Sequence, residues 1–353
     1  VTNAANCSAS NSAMVPINAL PSPPSITPNP AQVCASSTGN QASGPAGASS
    51  YAWTISNGTI TSAANLPTIT YTAGAAGNVT LNLTVTNAAG CSASNSANVP
   101  INPIPATPTI TPGGPTTFCA GGSVVLTSSS ATGNQWLLNG SPIGGATNQT
   151  LTANASGDYT VVVTASGCSS NPSAATTVTV NPTPAPPTIT PGGPTTFCAG
   201  GSVVLTSSSA TGNQWFLNGS PIGGATNQTF SANATGSYTV VVTVSGCPSA
   251  PSAATTVTVT PNPTPANAGP DQTVCGLTTT LAGNSPSVGT GTWSLVNGPG
   301  TLTFGNVNAF NSTATASAAG AYTLRWTITN GSCTSADEVV VNFIVVTVNP
   351  ATL

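Results

Sequence analysis

Apolar residues recur along this chain in short runs, where they alternate with Thr, Ser or Asn. In one stretch the runs are bounded by Gly, Asn, Ser or Pro and lie at 202–206 (SVVLT), 213–217 (NQWFL), 228–231 (QTFS), 237–244 (SYTVVVTV) and 254–260 (ATTVTVT). A period of two is typical of strands, and it places Tyr238, Val240 and Val242 on one face. No window of ten or more residues has the three-and-four spacing of a helix. The sequence predicts an all-β fold.

Two sequences recur within the chain. The segment from Pro108, PTITPGGPTTFCAGGSVVLTSSSATGNQW, returns from Pro187, and VTNAANCSASNSAMVPINALP from Val1 returns from Val85 as VTNAAGCSASNSANVPINPIP. Repeats of this length indicate tandem units of one fold. We predict the C-terminal strands of a truncated sandwich at 1–20 and four sandwiches at 21–104, 105–184, 185–262 and 263–350. Pro-rich joints between the units favour extended, stiff spacing.

Each predicted sandwich has one Trp on an early central strand, and these are Trp53, Trp136, Trp215 and Trp293. Aromatic side chains dominate core burial. We therefore interpret the four rings as core residues between two sheets instead of ligand-stacking platforms.

Charged residues are almost absent. The chain of 353 residues has one Arg, no Lys, no His and four carboxylates, whereas acid–base catalysis and nucleophile activation need such groups. We predict no enzymatic activity and no cofactor. A net charge of −3 gives little field to attract nucleic acid or anionic lipid. No apolar run approaches eighteen residues, so no membrane insertion is expected, and an export signal is expected upstream of Val1.

The few charged side chains form one weak candidate site. Asp271, Asp337 and Glu338 could gather around calcium, which prefers several carboxylate oxygens, but a solvated turn and strand edge is the favoured interpretation. Alternation along its strand points Arg325 outward, where pairing with a nearby acid is expected.

The cysteines are the other candidate site residues. They fall singly, without CxxC spacing and without His, which argues against a metal site. In a chain rich in Thr, Ser and Asn they indicate disulfides in an oxidising, extracellular or cell-surface compartment. The nine are Cys7, Cys34, Cys91, Cys119, Cys168, Cys198, Cys247, Cys275 and Cys333.

The strings SVVLTSSSATGNQWFLNGSPI and GSYTVVVTVSGC resemble an immunoglobulin-like domain. That resemblance implies a core Trp on strand C and a Tyr at the start of strand F, namely Tyr159, Tyr238 and Tyr322. The fourth unit, with NAGPDQTVCGLTTTLAGN, GTWSLVNGPGTL and AYTLRWTITNGSC, resembles the related PKD-like sandwiches. The first unit is similar but has Val79 where the fourth has Tyr322. As a tandem array the chain resembles long secreted surface proteins of Bacteroidota, exported by type IX secretion, which include gliding-motility adhesins.

In the topology that this resemblance implies, Cys198 follows strand A and Cys247 follows strand F, at opposite ends of one sandwich. A strand of six or seven residues spans about 20 Å, whereas disulfide-bonded Cα atoms lie within about 7 Å. The implied bridges therefore join successive units: Cys34–Cys168, Cys119–Cys247 and Cys198–Cys333, with Cys7, Cys91 and Cys275 pairing at or beyond the edge of the fragment. A rearranged topology would instead close each unit on itself: Cys34–Cys91, Cys119–Cys168, Cys198–Cys247 and Cys275–Cys333. Both patterns remain open at this point.

The expected function is a non-enzymatic extracellular fibre or stalk that serves adhesion or surface motility. Its expected partners are neighbouring repeats of the same long chain or identical subunits in a filament, together with a surface or glycan ligand. Two alternatives remain, a glycan-binding module array that acts through its end loops and a passive spacer of a secreted enzyme.

Overall fold

The structure is a computed structural model that describes residues 1–6, 8 and 10–346. The described residues form strands, turns and loops and no helix, which confirms the all-β prediction. None of them belongs to an apolar helix of the length that would cross a membrane.

Buried apolar residues gather into four separate cores, which we number as domains 1 to 4. The cores extend over 33–101, 124–178, 203–257 and 268–343. The chain divides into two compact units, Val1–Asn181 with domains 1 and 2 and Pro182–Leu353 with domains 3 and 4. The predicted domain boundaries stay predictions.

Domain 1 is a sandwich of two four-stranded sheets, ordered β1-β3-β6-β5 and β2-β8-β7-β4. Its strands are β1 Thr27–Asn29, β2 Val33–Cys34, β3 Asn40–Ser43, β4 Ser50–Ser56, β5 Gly58–Ile60, β6 Thr68–Ala73, β7 Gly77–Thr86 and β8 Ser92–Asn102.

Domain 2 has a three-stranded sheet, β14-β11-β9, facing a larger sheet, β10-β17-β15-β12-β13, in which β16 also pairs with β15. Its strands are β9 Ile110–Pro112, β10 Thr117–Cys119, β11 Val124–Ser128, β12 Asn134–Leu138, β13 Ser141–Pro142, β14 Thr150–Ala153, β15 Gly157–Ala165, β16 Cys168–Ser169 and β17 Thr176–Asn181.

Domain 3 repeats this arrangement, as its near-identical sequence requires. Its strands are β18 Ile189–Pro191, β19 Thr196–Cys198, β20 Val203–Ser207, β21 Asn213–Leu217, β22 Ser220–Pro221, β23 Thr229–Ala232, β24 Gly236–Val244, β25 Cys247–Pro248 and β26 Thr255–Thr260. The five strands predicted here are confirmed to within one residue at each end. Tyr238, Val240 and Val242 are buried, as the alternation predicts.

Domain 4 pairs a sheet β27-β33-β32-β29 with a sheet β28-β31-β30. Its strands are β27 Gln272–Cys275, β28 Thr278–Thr280, β29 Thr290–Asn297, β30 Leu302–Phe304, β31 Thr313–Ala316, β32 Gly320–Asn330 and β33 Cys333–Ile344.

The four predicted core tryptophans are buried between the sheets. Trp53, Trp136, Trp215 and Trp293 are each no more than 3% exposed. Each indole N–H donates a hydrogen bond to a backbone carbonyl 3.0–3.1 Å away, which satisfies the polar end of a ring buried in an apolar core. The four indole rings thus pack and form hydrogen bonds within their own domains.

Three buried tyrosines fix the start of the long central strand in domains 2, 3 and 4. The hydroxyls of Tyr159, Tyr238 and Tyr322 donate to the carbonyl four residues upstream, at 3.0–3.1 Å, as in a tyrosine corner. Domain 1 has Val79 at this position. Its buried Tyr71 lies on β6 instead, and the Tyr71 hydroxyl has no hydrogen-bond partner among the described residues.

Residues 1–20 repeat residues 85–104, yet their described part contains only the isolated bridge Thr2–Ser8 and no strand. In domain 1 the corresponding strand, β8, is hydrogen-bonded to β7. Val15 is 81% exposed, whereas its repeat partner Val99 is fully buried. The repeated sequence therefore forms a strand where it pairs with a neighbouring strand.

Candidate functional site at the disulfide-linked joints

Each domain has one cysteine at the end of a short strand that runs parallel to the last strand of the same domain. In domain 1, Cys34 on β2 lies opposite Asn102, the final residue of β8. In domain 3, Cys198 on β19 lies opposite Thr260, the final residue of β26. Cys119 and Cys275 have the same placement. Parallel pairing therefore presents these cysteines at the end where the chain leaves the domain.

A second cysteine lies in the hairpin that follows the long central strand. Cys168 pairs with Ala165 across the turn Ser166–Gly167, where both residues have positive φ, 48° and 78°. Positive φ at both turn residues matches the twist of a tight hairpin. Cys247 and Cys333 occupy the same hairpin position in domains 3 and 4.

The two cysteines of a domain lie at opposite ends of its sandwich. In domain 3, Gly236 at the start of β24 lies opposite Val257, near Cys198, while Val244 at its far end lies opposite Cys247. A nine-residue strand spans about 25 Å, well beyond the Cα separation of a disulfide. Bridges within one domain are excluded by this length.

The structure joins Cys34 to Cys168 and Cys198 to Cys333, with Cα separations of 5.6 and 5.7 Å. The first bridge connects domain 1 to domain 2, and the second connects domain 3 to domain 4. The alternative of closed units, with Cys34–Cys91, Cys119–Cys168, Cys198–Cys247 and Cys275–Cys333, is wrong because each of its pairs contains a cysteine that is bonded elsewhere.

The remaining cysteines differ in state. Cys119 and Cys247 are also disulfide-bonded, and their predicted pairing with each other stays a prediction. Cys91 is half-buried and Cys275 is exposed, and both have free thiols. Their predicted pairing at or beyond the edge of the fragment stays a prediction, and Cys7 lies outside the described residues.

Asparagine side chains support the two bridged joints. The Asn102 amide donates to Gln32 Oε1 and to the carbonyl of Ser166, each at 2.9 Å, so it ties the end of domain 1 to the hairpin of domain 2. In the other unit, Asn330 of domain 4 donates to the carbonyl of Pro261 at 2.8 Å. We did not predict these residues. A sequence signal was present for Asn102, since Asn precedes Pro at each of these joints, as in Asn102–Pro103 and Asn262–Pro263.

Two buried serines complete the strand that carries the hairpin cysteine, and sequence reasoning missed them as well. In domain 3, β26 pairs with β24 only over Gly236–Tyr238. Beyond that point the N–H groups of Val240 and Val242 donate to Ser252 Oγ and Ser249 Oγ, at 3.1 and 3.0 Å. Domain 2 has the same pair, Ser173 and Ser170. The serines recur at fixed offsets after the hairpin cysteine, which is the signal that could have found them.

A cleft of about 450 Å³ opens beside the Cys34–Cys168 bridge. Pro30, Gln32, Asn40 and Asn102 line it, and no aromatic side chain is among its lining residues. The Asn40 amide donates to the carbonyls of Ser37 and Tyr71, and the Asn102 amide donates within the joint. The cleft thus offers few unengaged donors to a neutral ligand.

The charged candidates do not form a site. Asp271 and Asp337 each accept a backbone N–H at 2.8 Å, from Val340 and Ala268. Arg325 pairs with Glu338 on an exposed strand face, at 2.6 and 2.8 Å, which confirms its predicted pairing with an acid. No group of three His, Cys, Asp or Glu that could hold a metal occurs within the described ranges.

Residues 20–101, which include domain 1, match the family of the PKD-like domain. No curated protein matches the chain at a significant level.

Solved structures of tandem immunoglobulin domains are similar to this chain. Sidekick-1 immunoglobulin domains 1–4 are 14% identical, with a TM-score of 0.31, over 92% of this chain and 97% of that one. The titin I-band fragment I67–I69 is 11% identical, with a TM-score of 0.39, over 68% and 97%. Extracellular domains 3–5 of Drosophila OTK are 14% identical, with a TM-score of 0.32, over 66% and 95%. The described residues thus form an all-β tandem array of sandwiches, in which residues 20–101 match the PKD-like domain.

Proposed function

We propose that this chain is a non-enzymatic structural segment of an extracellular stalk that serves adhesion or surface motility. The observation that carries the proposal is that Cys34–Cys168 and Cys198–Cys333 connect successive domains instead of closing single ones. A bridge of this kind fixes a joint covalently, which is useful when domains are held in series. Disulfides persist in oxidising compartments, which supports an extracellular location.

The inventory of side chains supports the non-enzymatic part of the proposal. Arg325 is paired with Glu338, and Asp271 and Asp337 accept backbone N–H groups. General acid–base catalysis needs a titratable group aimed at a substrate. In this chain these groups instead pair with each other or accept backbone N–H groups of domain 4.

The finer part of the proposal rests on the resemblance of the whole array to secreted surface proteins of Bacteroidota. We propose a surface adhesin exported by type IX secretion, of the gliding-motility type. Its partners are neighbouring repeats of the same long chain or identical subunits in a filament, and its ligand is a surface or a glycan.

Deletion of the coding region for residues 1–353 in the source organism tests the proposal. We expect cells that grow normally but attach or spread poorly. We also expect antibody against this segment to label intact cells and the label to disappear after proteinase treatment. Unchanged attachment, or antigen protected inside intact cells, would contradict the proposal. Normal attachment with loss of a secreted enzymatic activity would favour the spacer alternative.

A glycan microarray probed with the folded chain tests the glycan-binding alternative. We expect no glycan above background, because the cleft beside Cys34–Cys168 has engaged amides and no aromatic lining. Binding that disappears in Gln32→Ala but persists in the exposed control Ser220→Ala would favour a binding array over a structural segment.

A further inference from the structure

The two bridges change the covalent path along the chain. Cys34–Cys168 closes a loop with a sequence separation of 134 residues, and Cys198–Cys333 closes one of 135. Residues 168–198 are the stretch of chain that separates the two bridges. A path from Cys34 to Cys333 therefore crosses one disulfide, follows residues 168–198 and crosses the second disulfide.

Most of the sandwich strands lie inside the closed loops. The first loop contains β3–β15, with the main part of the cores of domains 1 and 2, and the second contains β20–β32, with the main part of those of domains 3 and 4. We call residues 168–198, which lie between the two loops, the open path. It contains only β16 and β17 of domain 2 and β18 and β19 of domain 3.

The open path has little slack. Its segments β16–β19 are already extended, and fully extended residues 168–198 span at most about 105 Å. The path is also held by its neighbours, since β17 pairs with both β15 and β10 and β19 pairs with β26.

We infer that the bridges make this chain a tether of limited extension, in which a covalent bypass takes the load once native contacts between domains yield. The load then passes along the first and last strands of successive domains, while the enclosed sandwiches stay outside the path. Unfolding of the strands inside a closed loop consequently adds no length between Cys34 and Cys333. The use of such a tether rests on the proposed structural function, but the mechanical property belongs to the isolated chain.

Single-molecule stretching of residues 1–353, held at the two ends, tests this inference. With the bridges intact, we expect the part between Cys34 and Cys333 to extend to no more than about 116 Å, which is about 105 Å for residues 168–198 plus the Cα separations of 5.6 and 5.7 Å across the two bridges. After dithiothreitol converts each bridge to two thiols, and is itself oxidised, the same folded molecules should gain about 930 Å as both loops open. Reduction after folding avoids any failure of a variant to fold.

Matched variants separate the bridges from other effects. The double variant Cys34→Ser/Cys168→Ser should gain about 300 Å or more without reductant. Cys275→Ser, which changes a free thiol at the equivalent end-of-strand position, should behave as the unaltered chain. Oxidised chain that unravels to nearly its reduced length would overturn the inference. That outcome would leave the cell-surface and attachment results of the proposed function untouched, so the two failures are distinguishable.

Discussion

At the residue scale, we expect replacement by Phe to have opposite effects on stability at two tyrosines of domain 1. The Tyr51 hydroxyl donates to the carbonyl of Pro45 at 2.8 Å, whereas the Tyr71 hydroxyl is buried without a partner among the described residues. Loss of a hydrogen bond costs about 1 kcal/mol, while removal of a buried unsatisfied group is neutral or stabilising. We expect Tyr51→Phe to destabilise domain 1 by about 1 kcal/mol and Tyr71→Phe to leave it unchanged or more stable.

Hydrogen exchange of the β6 and β7 amides measures these effects within domain 1, because exchange reports stability region by region. The β24 amides of domain 3 supply an internal control that neither substitution should alter. Faster exchange in Tyr71→Phe than in Tyr51→Phe would contradict the assignment of the two hydroxyls.

At the element scale, the central strand of domain 3 depends on side-chain acceptors where its neighbouring strand ends. Ser252→Ala leaves the N–H of Val240 buried without its acceptor, which costs about 1–3 kcal/mol. We expect faster exchange of the β24 amides, with the equivalent β15 of domain 2 unaffected. Ser220→Ala, at an exposed position, is the control and should leave β24 as it is. Equal exchange in both variants would mean that Ser252 is dispensable.

The elements also show why sequence predicts some features and not others. β24 is long enough for its alternation to identify it, and Trp215 and Tyr238 mark its sandwich. By contrast, β2 has two residues and no readable period, so its parallel pairing with β8 was not predicted. That pairing places Cys34 at the exit end of domain 1.

Side chains that complete the backbone pairing were equally hidden. Ser249 and Ser252 look like ordinary loop residues in the sequence. They are buried because β26 begins only at Thr255, so that the serines replace it as partners of β24. The recurrent Asn–Pro of the joints marks Asn102 in the sequence, but the structure is needed to show that its amide donates to the hairpin of the next domain. Features that depend on two distant segments therefore required the structure.

At the scale of the whole molecule, scarcity of charge predicts stability that is nearly independent of pH and salt. The chain has no His and no Lys, so few groups titrate between about pH 5 and pH 9. Its Arg325–Glu338 pair is exposed, where ion pairs contribute little. We expect the thermal unfolding midpoint to be nearly constant over that pH range and from about 0.01 to 1 M salt. A steep dependence on either would contradict this account.

At alkaline pH we expect the thermal unfolding midpoint to fall. Burial raises the pKa of Tyr71, so the folded state keeps a proton that the unfolded state loses above about pH 10. This contribution is fully present below the unfolded pKa and is lost as pH rises through the folded pKa. Tyr71→Phe should therefore weaken the alkaline loss of stability in domain 1. An identical alkaline profile in the variant would assign the loss to other groups.

The central claim is that disulfides join one domain to the next, and a non-reducing peptide map tests it most directly. The single Arg and absent Lys make trypsin unsuitable, whereas pepsin cleaves at acidic pH, where the free thiols of Cys91 and Cys275 exchange slowly because the thiolate is the attacking species. We predict linked peptides that contain Cys34 with Cys168 and Cys198 with Cys333. Peptides that link Cys34 to Cys91 and Cys198 to Cys247 would show independently closed domains and would contradict the account.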